Sequence, residues 1–387
     1  MAAIGVLMGV AGWGFGYREA QILAIAALLA VVLALAWTAP RPSVRARRTV
    51  VPKKVARGDA AQAVVVLANT GTRPLRGLRA EDRVAGAPVL PVMLPTVAPG
   101  AEVSARYPLP THTRGSVEVG PMALVRTDPL GLGRRSREHG AVETLLVRPR
   151  TVPLPVLPAG RTHHLEGPTS DTAEDGTLTF HSLREYTLGD DLRRVHWKST
   201  ARTGVMMVRR MIDVSLPTTT IVLDTAPASY ASEGARARDS DTFELAVEVA
   251  ASVSTAVARK NFPVRVLTGA GPLVGADGRD PGAGRLLDLF ALVGADEEHR
   301  LTEAFEALER GRDSDTLVVV TGTGTGTSTQ LDALGRVTRR FDRVVLVRVA
   351  APASPPPGPV PLPVHVTRLL VTDLEELARA WHREAMR

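Results

Sequence analysis

Between Phe180 and Arg202 the chain reads FHSLREYTLGDDLRRVHWKSTAR, which packs Arg184, Arg193, Arg194, Lys198 and Arg202 around Glu185, Asp190 and Asp191. His196, Tyr186 and Trp197 lie among them. Three kinds of chemistry suit such a set. An Arg fork can meet the carboxylates or phosphates of a partner. His196 can act as a general base with Asp190 orienting it and Asp191 beside it, as in a metal-dependent hydrolase or nuclease. The charges can also simply knit a turn together. No nucleophile with a partner is evident beside His196, so the docking surface is the preferred functional reading. The pattern predicts a strand to Tyr186, a turn at Gly189, and a short helix capped by Asp190 or Asp191. On that helix Asp190 and Arg194 are four apart, and Leu192, Val195 and Ser199 form an inward stripe.

Three other places invite a chemical reading. Thr321 to Thr329 reads TGTGTGTST between a strand and a helix, where backbone N–H groups can cradle a phosphate. It has neither the Lys of a P-loop nor the spacing of a dinucleotide fingerprint, and is read as a plain flexible loop. His163 and His164 stand near Asp171, Glu174 and Asp175, but adjacent histidines point apart and the segment is unpatterned, so it is read as a solvated loop. Asp224 ends the apolar run TTTIVLD, at the edge where ligands of α/β sheets bind.

These residues need elements to hold them. Beyond Thr218 the strands TTTIVLD, VRVLT, TLVVVTG and RVVLVRV alternate with helical stretches, and Phe243, Val247, Ala250, Ser254 and Val257 mark an inward helix face. Such alternation predicts a doubly wound, mostly parallel sheet covered on both faces. Between about residues 50 and 150, short β-branched runs punctuated by Gly and Pro predict an antiparallel β-sandwich. Asn69-Thr70-Gly71, Ala98-Pro99-Gly100 and Asp128-Pro129-Leu130-Gly131-Leu132 are its turns, with Asp128 bonding its own backbone.

The first 40 residues are the most apolar. Ala20 to Pro40 carries no charge and ends near Trp37, enough for a crossing of roughly 30 Å of hydrocarbon. Met1 to Tyr17 is also apolar, and Gly5, Gly9 and Gly12 allow close helix packing. Two helices, about 3–17 and 20–40, are expected. A basic juxtamembrane segment follows over 41–57, with Arg41, Arg45, Arg47, Arg48, Lys53, Lys54 and Arg57 preceding the first acidic residue, Asp59. These seven charges equal the chain's formal net charge of +7, so the excess points to anionic lipid and not to nucleic acid. By the positive-inside rule the soluble domains lie on the cytoplasmic side. Ala34-Leu35-Ala36 resembles a signal-peptide cleavage site, but the positive charges just beyond it oppose export. The absence of cysteine excludes disulfides and thiolate metal sites.

The passage GTLTFHSLREYTLGDDLRRVHWKSTARTGVMMVRR resembles the signature of the domain of unknown function 58 family. Phe180, Leu183, Arg184, Tyr186, Gly189, Asp190, Asp191, Arg193, Trp197, Ala201 and Arg202 fit its order, and Ser199 fits loosely. The resemblance implies a membrane-anchored protein related to von Willebrand factor A domains that works with a MoxR-type AAA+ ATPase in complex assembly or maturation. It also implies a place for a hard divalent ion, since A domains end their first strand in Asp-x-Ser-x-Ser. Here that stretch is Asp224-Thr225-Ala226-Pro227-Ala228, and the fourth strand runs into Thr321-Gly322 where A domains often place an Asp. One carboxylate binds magnesium weakly, so a degenerate site with no tight metal and no cofactor is expected, with Asp224 capping its loop. The whole then reads as membrane helices, sandwich, a linker over 151–176, the signature over 177–217 and an α/β domain over 218–387. The function expected is a non-enzymatic adaptor, with Phe180, Leu183, Arg184, Tyr186, Gly189, Asp190, Asp191, Arg193, His196, Trp197 and Arg202 forming the partner surface. The metal-dependent hydrolase or nuclease is the alternative.

Overall fold

The structure is a computed structural model that describes all residues except 1, 40–42, 86–88, 158–177, 188–189, 191, 214–216, 231–240, 275–281, 311–313, 325–326, 353–362, 364 and 387. The chain divides into two compact units, Met1–Pro149 and Arg150–Arg387.

The first unit opens with a helical hairpin, α1 (Ala2–Gly14) and α2 (Arg18–Thr38). α2 has the length and hydropathy to cross a bilayer. α1 is shorter than expected: its 13 residues span only about 20 Å at 1.5 Å per residue, well under the hydrocarbon thickness. The glycines work as close-packing positions. A Cβ on Gly12 would lie 2.8 Å from the Gln21 backbone nitrogen, and Gln21 Nε2 donates to Gly12 O at 3.0 Å.

Ten strands follow: β1 (Val44–Val51), β2 (Lys54–Ala56), β3 (Gln62–Asn69), β4 (Leu78–Asp82), β5 (Leu90–Met93), β6 (Glu102–Pro108), β7 (Gly115–Val119), β8 (Met122–Thr127), β9 (Arg134–His139) and β10 (Glu143–Arg148). They pair as three small sheets, β1-β3-β6, β2-β10-β7 and β5-β4-β8-β9, around one apolar core that includes Val65, Leu67, Met122 and Leu145. All pairs are antiparallel except β2 with β10, a departure from the expected wholly antiparallel sandwich.

β1 begins inside the stretch read as a basic juxtamembrane segment, and this overturns one residue of it. Strand alternation puts Val44, Ala46, Arg48 and Val50 on one face, so Arg48 points inward. It is buried, pairs with buried Asp82 at 3.4 Å and donates to Ala141 O at 2.5 Å. Tyr107 O–H donates to the same carboxylate. Arg48 therefore cannot face lipid. Arg45, Arg47, Lys53 and Lys54 are exposed, and Arg41 lies outside the described residues.

The second unit contains a two-stranded ribbon, β11 (Leu178–Glu185) with β12 (Met207–Asp213), carrying α3 (Trp197–Thr203) between them. Then come β13 (Thr219–Leu223), α4 (Asp241–Ala258), β14 (Val264–Thr268), β15 (Gly271–Val274), α5 (Gly282–Leu292), α6 (Leu301–Arg310), β16 (Ser314–Thr321), α7 (Thr327–Leu331), α8 (Leu334–Val337), β17 (Phe341–Val349), β18 (Val366–Val371) and α9 (Leu374–Ala385). The sheet order is β15-β14-β13-β16-β17-β18, parallel throughout except for the antiparallel edge strand β15.

Alternate residues of each central strand enter opposite cores. Ile221, Leu223, Val318, Val320, Val345 and Val347 pack with α4, α5 and α9, whereas Val222, Leu317, Val319, Val344 and Leu346 pack with α6, α7 and α8. This is why these strands are apolar in consecutive positions. α4 is buried at 14 of its 18 residues, more than the one face expected, because other segments cover it on several sides. One of these segments is the start of the stretch expected to be a linker. Arg150 makes a two-point ion pair with buried Glu248 at 2.9 and 3.0 Å, Val152 N–H donates to Ser252 Oγ, and Trp381 Nε1 donates to Pro155 O. Residues 150–157 thus belong to the α/β unit, while the rest of the expected linker, with His163 and His164, lies outside the described residues.

Candidate functional site

The ribbon β11–β12 displays the signature passage. Arg184 donates to Asp190 through both terminal nitrogens, at 2.7 and 2.5 Å, and Asp190 also accepts from Thr187 N at 2.9 Å. The guanidinium, with the Thr187 amide, holds the Asp190 carboxyl down at about 2. Asp190 is therefore committed within its own turn and does not cap a helix. Two short helical pieces replace the single helix expected: a 3-10 turn at Leu192–Arg194, then α3.

α3 is capped by His196, not by an aspartate. Its Nδ1 accepts from Ser199 N at 3.2 Å and lies 2.8 Å from Ser199 Oγ. The Asp190 carboxylate is bonded to Arg184 and Thr187 and not to His196, so the pairing a general base requires is not made. The inward stripe is also different. Val195 is buried and bridges to Val208, but Leu192 is 58% exposed and Trp197 64% exposed. α3 has no buried residue. Arg193 and Arg202 are exposed, Leu183 and Tyr186 are half-buried, Gly189 and Asp191 lie outside the described residues, and Phe180 is described by its backbone alone.

The second site lies where the strand order of the sheet reverses, at the adjacent carboxyl ends of β13 and β16, where open α/β sheets take their ligands. Asp224 and Thr321 meet there. Thr321 Oγ1 donates to Asp224 Oδ2 at 2.6 Å, Ala226 N donates to Oδ1 at 3.0 Å, and Tyr230 O–H donates to Asp224 O at 2.5 Å. The carboxylate is fully buried, and burial raises its pKa. Asp224 thus caps its own loop.

The TGTG run packs closely against the neighbouring loop instead of standing free as the flexible loop expected. Gly324 N donates to Ser229 O at 2.8 Å, and a Cβ on Gly322 would fall within the van der Waals envelope of that same carbonyl. Gly is needed here because two backbones touch. Residues 325–326 of the run lie outside the described residues.

The hard divalent ion that the resemblance implies does not fit these residues. Both Asp224 oxygens are engaged by protein donors. Among the described residues no three His, Asp or Glu side chains gather closely enough to hold a metal ion. Sequence reasoning missed one nearby pair: His299 Nδ1 lies 2.8 Å from Asp296 Oδ2, and Asp296 N donates to Thr225 O. The D-x-x-H spacing at a helix entrance was the available signal.

Residues 182–356 match the model of the family described as Protein of unknown function DUF58. The match takes in the signature from Ser182 and the sheet from β13 to β17, leaving β18 and α9 beyond it. No curated protein matches the chain. Among solved structures, a CARDB domain from Pyrococcus furiosus aligns at 15% identity over 27% of this chain and 93% of its own, with a TM-score of 0.21. The alkylpurine DNA glycosylase AlkC of Pseudomonas fluorescens aligns at 17% identity over 35% of this chain and 43% of its own, also at 0.21. Red sea bream transglutaminase aligns at 18% identity over 28% of this chain and 15% of its own, again at 0.21. At such scores these likenesses carry no weight for function.

Proposed function

We propose that this chain is a membrane-anchored, non-enzymatic adaptor whose signature ribbon docks a cytoplasmic partner protein. The carrying observation is the exposure of Leu192 in the 3-10 turn and of Trp197 in α3, both just beyond the turn that the Arg184–Asp190 pair closes. A large exposed aromatic beside cations is the composition of an interface hot spot, and such side chains cost solubility unless something covers them. The engagement of Asp190 by Arg184, and of Asp224 by its own loop, supports binding over hydrolysis.

α2 supports the anchor, and the exposed Arg45, Arg47, Lys53 and Lys54 just beyond it support a cytoplasmic orientation with contact to anionic headgroups. The strand order and the antiparallel edge strand support a von Willebrand A-like relationship for the α/β unit. A MoxR-type AAA+ ATPase is the partner we favour, on the family resemblance.

Affinity capture of the detergent-solubilised full chain tests this. The wild type should recover an AAA+ ATPase, and Trp197→Ala and Arg193→Glu should each reduce recovery at least about tenfold, the scale of losing a hot-spot side chain. Equal recovery by wild type and both variants would sink the proposed surface.

A further inference from the structure

The turn between β8 and β9 is built to point two leucines outward. Asp128 is buried, and its carboxylate accepts from Leu130 N at 2.9 Å and Gly133 N at 2.5 Å, while Gly131 N donates to Asp128 O. The polar groups of the turn are thereby satisfied from inside. Leu130 is left 65% exposed and Leu132 37% exposed.

This turn lies against the end of α2. A Cβ on Gly133 would touch the Thr38 side chain and approach Ala34 O, at 3.4 and 3.5 Å, and Arg135 Nη1 donates to Ala39 O at 3.0 Å. Arg126 stacks over the Trp37 ring at 5.9 Å. These contacts fall on the end of α2, where Ala34 and Thr38 are buried while most of the preceding residues are exposed. The leucines therefore stand at the level where the apolar helix ends. At that level a bilayer changes from acyl chains to headgroups, and Trp37 and the arginines Arg126 and Arg135 are the side chains that suit the boundary. Removing apolar side chains from water is favourable, so two leucines in the interface add to the hold of α2.

We infer that the Asp128–Gly133 turn is a second membrane contact, in which Leu130 and Leu132 enter the lipid interface beside the end of α2 and hold the β-rich domain close to the bilayer. The inference rests on the anchored reading above. Because the chain has no cysteine, single labels are available without further substitution.

The full-length protein carrying Leu130→Cys, Leu132→Cys, Leu29→Cys or Val142→Cys is labelled with an environment-sensitive dye. It is then reconstituted in phosphatidylcholine–phosphatidylglycerol vesicles, with or without spin-labelled quencher lipids. Val142 is exposed and lies three residues beyond the open end of the β8–β9 hairpin, whose six-residue strands span about 20 Å. Labels at 130 and 132 should shift to the blue and be quenched most by a quencher near the headgroups. The label at 29 should be quenched most by a deep quencher, and the label at 142 by neither. A label at 130 as water-exposed as that at 142, with 29 still quenched, overturns the contact while the anchor stands. Loss of quenching at 29 as well overturns the anchor, and the contact with it.

Discussion

Removing the Asp224 side chain tests whether the switch point is a self-contained cap or a ligand site. Asp224→Ala strands two buried donors, Ala226 N–H and Thr321 O–H, and each unsatisfied donor costs about 1–3 kcal/mol. Against this, the variant no longer buries a carboxylate whose charged form burial disfavours. The expected net loss is about 2–3 kcal/mol at neutral pH, given those donor costs. Asp224→Asn should cost less than about 1 kcal/mol, because an amide can accept from Ala226 N–H and donate to Thr321 Oγ1.

The pH dependence has a definite sign. Burial raises the folded pKa of Asp224 above the 3.8 of the free carboxyl, so the folded state binds the proton more tightly than the unfolded state. The stabilisation from this group is full below 3.8 and declines as pH rises through the raised value. Asp224→Asn should accordingly gain on the wild type as pH is raised from about 4 to 8. Trp381 is buried in the α/β core and bonded to Pro155, so its fluorescence in a background with the other three tryptophans changed to Phe follows urea unfolding of this unit. Asp224→Ala within about 0.5 kcal/mol of wild type across that range would refute the cap, since that is the scatter expected of a surface substitution. A wild-type midpoint raised by magnesium and insensitive in Asp224→Ala would refute the exclusion of a metal.

Two further outcomes are expected. Arg48→Met should destabilise the β-rich domain by about 3–5 kcal/mol, because it leaves the Asp82 carboxylate buried without its counter-charge. Arg48→Met with Asp82→Asn should recover most of that, the amide still accepting from Tyr107, as read by hydrogen-exchange protection of β3. His299 should titrate above 6.5 by NMR, held up by its bond to Asp296, and Asp296→Asn should bring it down. The His299 contribution is full below pH 6.5 and fades as pH rises through its raised pKa, while that of Asp296, whose pKa is lowered, is lost as pH falls through the lowered value.

Pattern in the chain was enough to mark the long apolar helix, the β-rich region and the alternating α/β segment, because burial acts on every residue of a long element and leaves its trace in the composition. It also located Asp224 and Thr321 at strand ends, and the Asp128 turn by its residue types. What it could not decide depends on contacts distant in the chain. Arg48 looks like one more juxtamembrane cation until β1 starts at Val44 and alternation turns it toward Asp82, 34 residues away. Residues 150–157 look like a linker until Glu248 and Trp381, about 100 and 226 positions distant, supply their partners. The charges of the signature passage allow several pairings by spacing alone; only the folded ribbon selects Arg184 for Asp190, leaves His196 to cap α3 and turns Trp197 to the surface. Local pattern is set by which side chains avoid water. The choice among equally polar partners is set by which of them the tertiary fold brings within hydrogen-bonding reach.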